Sequence, residues 1–279
     1  MARIFSLTSH VVYGHVGAQA SVPAWHMMGH QVWHLPTVLF SNHPGYGGFN
    51  GGPVDLALTN QLLDGLLERE FLADCGALHT GYMGQAGNVD VAVRAIEAFQ
   101  PPLVLCDPVL GDEGKLYVAP ELATAIRERL LPRANIVTPN KFELAWLTGE
   151  SIDSLDDAIR AARSLSRRGP ELVICTSAAQ ANGWLHNLLI CPAGTFQVRV
   201  PFMDNAAEVP KGTGDAFAAI LLGHYLNHNN ITAALAWASA ALHGLIKASV
   251  EARSVELAII TAQDQITAPS RMFEIERLD

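Results

Sequence analysis

Short apolar runs alternate with patterns of helical period along almost the whole chain, and this alternation restricts the possible folds more than any other feature. Runs of strand length lie at residues 4–7, 32–40, 77–79, 103–106, 136–137 and 172–176. Helical patterns lie between them, at residues 17–28, 55–71, 89–99, 122–131, 140–147 and 155–168. Two further strand-like runs, 183–191 and 195–200, predict an antiparallel pair, and two apolar helical patterns follow at 216–226 and 231–248.

Two parallel strands need a crossover connection that is usually a helix, so strands that alternate with helices are expected to pair in parallel. The sequence therefore predicts an α/β fold with a mainly parallel central sheet, helices on both faces and an antiparallel edge. No linker-like stretch or internal repeat interrupts the pattern, so one domain is expected over residues 1–279. In such sheets the ligand site is expected at the carboxyl ends of the strands.

The net charge of −9 at pH 7 argues against a nucleic-acid partner, because a phosphate backbone calls for clustered Lys and Arg. The four cysteines, which form no Cys-x-x-Cys pair, are expected to be buried free thiols in a reducing compartment. The chain has no apparent secretory signal, and no apolar run approaches the roughly 18 residues of a membrane span. These features predict a cytoplasmic protein with no membrane partner.

The motif Gly212-Thr213-Gly214-Asp215 stands directly before the apolar run 216–222. Its glycines let the backbone approach a ligand closely, and a helix starting here would point its free N–H groups at an anion. Asp215 would then lie beside that anion hole. Donors for a phosphate next to a carboxylate predict a phosphotransferase, and the plainer alternative is a glycine turn with an acidic residue at a helix N-terminus.

Polar clusters follow the predicted strands, where the carboxyl ends of parallel strands would bring them to one edge. They are Ser9-His10, Ser41-Asn42-His43, Gly81-Tyr82, the run 107–112, Thr138-Pro139-Asn140 with Glu143, and Thr176-Ser177. Segment 42–53 is rich in glycine and too irregular for an element, and we expect it to be a flap near the site. Segment 111–118 is a second candidate flap.

With these motifs in place, the chain resembles the pyridoxal kinases of the ribokinase-like superfamily. The matching stretches are residues 9–17 (SHVVYGHVG), 40–43 (FSNH), 80–82 (TGY), 106–112 (CDPVLGD), 138–140 (TPN) with Phe142-Glu143, 176–177 (TS) and 212–215 (GTGD). They cover nearly the whole chain. The first two are the more specific to pyridoxal kinases, whereas DPVLGD, TPN and GTGD also occur in related kinases.

The resemblance implies transfer of the γ-phosphate of ATP to the 5′-hydroxymethyl group of pyridoxal, pyridoxine or pyridoxamine. Asp215 would be the base, Gly212, Thr213 and Gly214 would form the anion hole, and Asp107 and Glu143 would act through Mg²⁺. The nucleotide would be bound by Asp107, Thr138, Asn140, Thr176, Ser177 and Thr213, and the vitamer by Ser9, Val16, His43 and Tyr82. K⁺ beside the anion hole and a homodimer are implied by the resemblance alone.

Two departures from the family pattern stand out. Many relatives carry Thr after the FSNH motif, where this chain has Pro44, which offers neither a hydroxyl nor a backbone N–H. The segment 111–118 contains no cysteine, so no covalent trap for the pyridoxal aldehyde is expected.

Two other functions stay open at this point. A kinase for hydroxymethylpyrimidine would act on the same primary alcohol, and Pro44 falls where the rings would be told apart. A non-catalytic protein that binds vitamin B6 is the other alternative, although such a protein would be free to lose Asp215 and the glycines before it.

Overall fold

The structure is a computed structural model that describes residues 1–112, 114–203 and 209–279. The strands are β1 (Arg3–Tyr13), β2 (Gln31–Asn42), β3 (Gly51–Pro53), β4 (Ala77–Thr80), β5 (Val104–Cys106), β6 (Gly111–Asp112), β7 (Lys115–Leu116), β8 (Ile136–Val137), β9 (Leu172–Ala181), β10 (Trp184–Cys191), β11 (Gly194–Pro201) and β12 (Ile275–Arg277). The α-helices are α1 (Ala18–Met27), α2 (Leu56–Glu68), α3 (Ala86–Phe99), α4 (Pro120–Ala125), α5 (Lys141–Thr148), α6 (Leu155–Ser166), α7 (Thr213–His228), α8 (Ile231–Glu251) and α9 (Asp264–Thr267).

A ten-stranded sheet in the order β12-β11-β10-β9-β8-β5-β4-β1-β2-β3 forms the centre of the protein. Within this order, the six strands β9, β8, β5, β4, β1 and β2 are parallel to one another. Strands β10, β11 and β12 continue one side antiparallel, and β3 pairs antiparallel with β2 at the other side. The predicted fold class, a mainly parallel sheet with an antiparallel edge, is confirmed.

Helices cover both faces of the sheet, and each face has its own hydrophobic cluster. One cluster contains buried residues of α2 to α6, such as Leu63, Val89 and Leu165. The other contains residues of α1, α7 and α8, with Trp25 fully buried among them. Residues 216–222 of α7 are all 0–1% exposed. A helix that is apolar all round is stable only where neighbours surround it, and here α1 and α8 pack against it.

Several predicted boundaries were wrong, because pairing between strands outweighed local sequence. Strand β1 does not end at Leu7 but continues to Tyr13, paired with β2, with a register shift between Thr8 and His10. Strand β9 likewise runs past Thr176 and Ser177 to Ala181. Ser9, Thr176 and Ser177 therefore lie within strands rather than after them.

The two candidate flaps contain regular structure that was not predicted. Segment 42–53 has a 3₁₀ turn at Pro44–Tyr46 and strand β3, which pairs with β2. Segment 111–118 holds the small β6–β7 hairpin. Helix α4 begins with Pro120 at its first position and passes into a π-helical turn, Ile126–Leu130, and a 3₁₀ turn, Leu131–Arg133. Elements α9 and β12 had no periodic signal and were missed.

Helix α8 is long and apolar enough to cross a membrane by length and composition, contrary to our reading of the sequence. Its buried residues belong to the hydrophobic cluster of α1 and α7, and its Trp237 donates an indole hydrogen bond to the carbonyl of Ile266.

Candidate active site

The N-terminus of α7 lies at the carboxyl edge of the sheet, and its N-cap residue makes no side-chain hydrogen bond to the first turn. Gly212, the N-cap residue, has φ +87°, and a Cβ there would overlap the carbonyl oxygen of His15. A glycine is therefore required by both conformation and space. The first intrahelical bond runs from the Ala216 N–H to the Gly212 carbonyl, at 3.0 Å. Because a glycine cap has no side chain, the N–H groups of Thr213 and Gly214 stay available to an anion.

Asp215 lies in the first turn of α7, against the turn that joins β1 to α1. Its carboxylate accepts hydrogen bonds from the N–H of Gly17 and from its own N–H. Burial raises its pKa to about 6, partly offset by these two donors. Gly17 has φ +55°, and a Cβ there would overlap the side chain of Ser9. Asp215 is thus brought next to Gly17 and Ser9, which are far from it in sequence.

Asp107 directly follows β5, is 6% exposed and is hydrogen-bonded to residues at the ends of the two neighbouring strands, β4 and β8. Its N–H donates to the carbonyl of Thr80 at 2.8 Å, and its Oδ1 accepts from the Thr138 hydroxyl at 2.9 Å. Burial, followed by the negative charges of Glu143 and Asp215, raises the pKa of Asp107 well above its usual range. The three predicted carboxylates therefore lie within electrostatic reach of one another.

Glu143 is 4% exposed, and both its carboxylate oxygens bind backbone. Oε1 accepts from the N–H of Leu110 at 2.7 Å and of Gly111 at 3.4 Å, and Oε2 accepts from the Asn140 N–H at 2.9 Å. Burial raises its pKa to about 7 against the effect of these donors. The side chain therefore clamps the loop after β5, in which Val109 has φ +46°, an unfavourable conformation for a β-branched residue.

Of the predicted nucleotide residues, Thr138 and Asn140 follow β8, Thr176 and Ser177 lie within β9, Asp107 follows β5 and Thr213 begins α7. Asn140 caps α5, accepting from the Glu143 N–H at 2.9 Å, and donates its amide to the Gly111 carbonyl at 2.8 Å. It also forms a parallel bridge with Thr176. Ser177 is exposed at φ +51°, and its N–H is held by Asn187 Oδ1 at 3.0 Å. A strained, exposed serine beside these groups is consistent with a binding role, which stays a prediction.

The predicted vitamer residues lie on β1, on the flap and after β4. Ser9 and Val16 are each 7% exposed, and the half-buried Tyr82 follows the end of β4. His43 directly follows β2 and accepts the Gly45 N–H at 3.0 Å, so it caps the 3₁₀ turn of the flap. Burial and the charge of Lys211 lower the pKa of His43, while Glu256 acts in the opposite direction.

Four further residues near the site were not predicted: Tyr46, Tyr117, Lys211 and Glu256. Tyr117 lies close to the acidic groups, since burial, Glu143, Asp112, Asp107 and Asp215 all raise its pKa. Lys211 and Glu256 are both within electrostatic reach of His43. Neither had a motif to mark it. Tyr46 had one weak signal, an aromatic residue inside a glycine-rich segment.

A metal site made of protein side chains alone is absent from the described ranges 1–112, 114–203 and 209–279, where no three His, Cys, Asp or Glu are suitably grouped. Mg²⁺ usually takes only one or two carboxylates and completes its shell with water and phosphate oxygens. The acidic cluster at Asp107 is therefore compatible with a shared site but does not form a closed one.

Comparison with known proteins was made against family models, curated proteins and solved structures. The model of the phosphomethylpyrimidine kinase family matches residues 54–259. The pyridoxal kinase of Granulibacter bethesdensis is 38% identical over 97% of this chain and 98% of its own. The pyridoxal kinase of Deinococcus radiodurans is 35% identical over 99% of this chain and 97% of its own. The pyridoxal kinase of Leishmania donovani in complex with ADP and pyridoxine superposes with a TM-score of 0.88 at 31% identity, covering 99% of both chains.

The matches extend over the full length of this chain and include every stretch on which the resemblance was based. At these identities and coverages a shared fold is expected. The chain therefore belongs to the pyridoxal kinase family, within the group that the phosphomethylpyrimidine kinase model describes.

Proposed function

We propose that this protein transfers the γ-phosphoryl group of ATP to the 5′-hydroxymethyl group of pyridoxal, producing pyridoxal 5′-phosphate in vitamin B6 salvage. The observation that carries the proposal is the position of Asp215 in the first turn of α7, beside the N–H groups of Thr213 and Gly214, where the N-cap residue Gly212 makes no side-chain hydrogen bond. Pyridoxal kinase of Leishmania donovani has been solved with ADP and pyridoxine and with ADP and pyridoxamine, which supports ATP and B6 vitamers as the ligands here.

In this mechanism the alcohol oxygen attacks the γ-phosphorus, Asp215 accepts the alcohol proton, and the bond between the γ-phosphorus and the β–γ bridging oxygen breaks to release ADP. The N–H groups at the start of α7 donate to the oxygens of the transferred phosphoryl group, where negative charge is concentrated. The transition state of phosphoryl transfer is loose, so positioning and charge stabilisation matter more than a strong base. A carboxylate with a pKa of about 6 meets this need.

Mg²⁺ is the metal that this chemistry implies, and the acidic cluster fits it in part. Burial and the negative charges of Glu143 and Asp215 raise the pKa of Asp107, and a cation bound beside it would favour its ionised form. Glu143 fits less directly, because its oxygens already accept three backbone N–H groups. When bound, the ion would neutralise charge on the ATP phosphates. Excess chelator is expected to abolish activity, and added Mg²⁺ is expected to restore it. Undiminished activity in excess chelator would contradict a role for Mg²⁺.

We also propose a homodimer, a cytoplasmic location and dependence on K⁺. Large apolar side chains are exposed near β1 and β2, among them Val12 at 79%, Leu39 at 51% and Trp33 at 40%, and they suit contact with a second copy. The free cysteines are consistent with a reducing compartment. Sedimentation of the purified protein tests the dimer, and activity in K⁺ compared with Na⁺ tests the cation.

A kinase for hydroxymethylpyrimidine is the second candidate, because the phosphomethylpyrimidine kinase model matches most of the chain. The experiment that separates the two supplies ATP with pyridoxal, pyridoxine, pyridoxamine or hydroxymethylpyrimidine and measures phosphorylated product from each. Pyridoxal is expected to give the highest kcat/KM. A preference for the pyrimidine would replace the first proposal with the second, and no product from any alcohol would favour a binding protein.

A further inference from the structure

Glu256 lies in the irregular stretch between α8 and α9, outside every motif discussed above, yet it joins two parts of the site. Its Oε2 accepts the backbone N–H of His15 at 2.6 Å. Its Oε1 accepts the hydroxyl of Tyr46, in the 3₁₀ turn of the flap. One carboxylate thus holds both the β1–α1 turn and the flap.

The contacts around Glu256 fix its own position. Ser254 accepts the Glu256 N–H at 3.1 Å, and its hydroxyl donates to the Glu256 carbonyl at 2.8 Å. The next residue, Leu257, binds the imidazole of His15 through its carbonyl, at 2.8 Å between Nδ1 and oxygen. A Cβ at Gly14 would lie 3.1 Å from both carboxylate oxygens, so the turn and the side chain are in close contact.

The turn that Glu256 supports leads directly to the catalytic groups. The carbonyl of His15 packs directly against Gly212, since a Cβ on Gly212 would overlap it. Two residues further along the turn, the N–H of Gly17 donates to the carboxylate of Asp215. On the flap side, Tyr46 also packs edge-on against Tyr13, with 6.0 Å between ring centroids. Two residues before Tyr46 stands Pro44, and His43 caps the same 3₁₀ turn.

We propose that Glu256 is a positioning residue that ties the substrate flap, through Tyr46, to the β1–α1 turn that supports Gly212 and Asp215. The inference rests on the proposed function, since it assigns the flap to the vitamer. Its two contacts predict separable effects. The Tyr46 contact holds the flap over the substrate, and the His15 contact holds the turn in register with the start of α7.

The test compares Tyr46→Phe, Glu256→Ala and Glu256→Gln with a matched control, Glu251→Ala. Glu251 is an exposed carboxylate at the end of α8, paired only weakly with Lys247 at 3.7 Å and away from the flap.

Tyr46→Phe should raise the KM for pyridoxal about fivefold with kcat within roughly twofold, because only the flap contact is lost. Glu256→Ala should also lower kcat, by about tenfold. Glu256→Gln should recover most of that kcat, because its amide oxygen can still accept the His15 N–H. Glu251→Ala should match the wild type.

Hydrogen exchange of residues 44–53 in the unliganded protein provides a readout that does not depend on activity. Exchange should speed up in Tyr46→Phe and in Glu256→Ala and stay unchanged in Glu251→Ala. Tyr46→Phe removes one hydroxyl from a partly exposed ring and should fold normally. If this variant showed unchanged exchange and an unchanged KM, the inference would be overturned, even if Glu256→Ala failed to fold. Faster exchange in a protein that phosphorylates no vitamer would instead contradict the proposed function and leave the contact between flap and turn established.

Discussion

Asp215 depends on two glycines for its surroundings. Gly17 lets the β1–α1 turn pass against Ser9, and Gly212 lets the start of α7 pass against His15. We expect Asp215→Asn to lower kcat by about 10² to 10⁴-fold, because an amide cannot accept the alcohol proton. ATP binding should be largely retained. Steady-state kinetics and nucleotide titration check both points, and a variant with more than about half of the wild-type kcat would rule out Asp215 as the base.

The pH dependence of activity follows from the raised pKa of the same residue. Asp215 must be ionised to accept a proton, and its pKa of about 6 lies above the usual value for aspartate. As the pH falls through 6 the carboxylate becomes protonated, so kcat/KM should decline there rather than near pH 4. Because kcat/KM reports the free enzyme, the profile should be measured with both substrates well below saturation. If kcat/KM stayed constant down to pH 5, the assignment of Asp215 as the base would be contradicted.

Pro44 is exposed at the first position of the 3₁₀ turn that His43 caps. Pro44→Thr should change the preference among vitamers more than it changes stability. A restored hydroxyl would add a hydrogen bond to the ring of about 1 kcal/mol. Loss of proline would cost roughly 0.4 to 1 kcal/mol of flap entropy for all vitamers alike. The ratio of kcat/KM for pyridoxal and pyridoxamine in the two proteins separates these effects, and a common shift would show that position 44 does not contact the ring.

At the scale of elements, the loop after β5 depends on α5 for its shape. Glu143→Ala should lower the free energy of unfolding by about 3 kcal/mol or more, because the buried N–H groups of Leu110 and Asn140 would lose their acceptor. Urea denaturation measures this change, with Glu171→Ala, an exposed acid before β9, as the control. If the two variants were equally stable, the clamp would have no energetic role and Glu143 would be better explained by metal binding alone.

At the scale of the whole molecule, two hydrophobic clusters share the strands of one sheet. We therefore expect a single unfolding transition, as for one domain. Trp25 belongs to one cluster, and Trp146 packs against the other. Two variants, one with Trp25 and the other with Trp146 as its single tryptophan out of the five in the chain, should give the same urea midpoint by fluorescence as by circular dichroism. Separate midpoints for the two reporters would show that the faces unfold independently.

Much of the fold could be predicted because its signal is local. Strand and helix periods repeat every few residues, so the alternation of elements, the parallel sheet and the antiparallel edge followed from the chain itself. The site edge could also be predicted, since polar residues placed after parallel strands meet there. Element ends were less predictable. Strand β1 continues through polar Ser9 and His10 because β2 offers a partner for its backbone.

Local sequence was sufficient to predict a helix that starts at GTGD with an acid in its first turn, because glycines, acid and apolar run are contiguous there, while the anion site itself stays a prediction. The tertiary structure alone decided which distant groups complete it. Glu143 clamps a loop more than thirty residues away, and Glu256 meets His15 across 241 positions. The physical reason is that such bonds join a side chain to a backbone group brought near by the packing of whole elements. Glu143 was marked by the motif around Asn140, although its contact with the loop after β5 was not, whereas Glu256 carries no local pattern that distinguishes it from an ordinary surface acid.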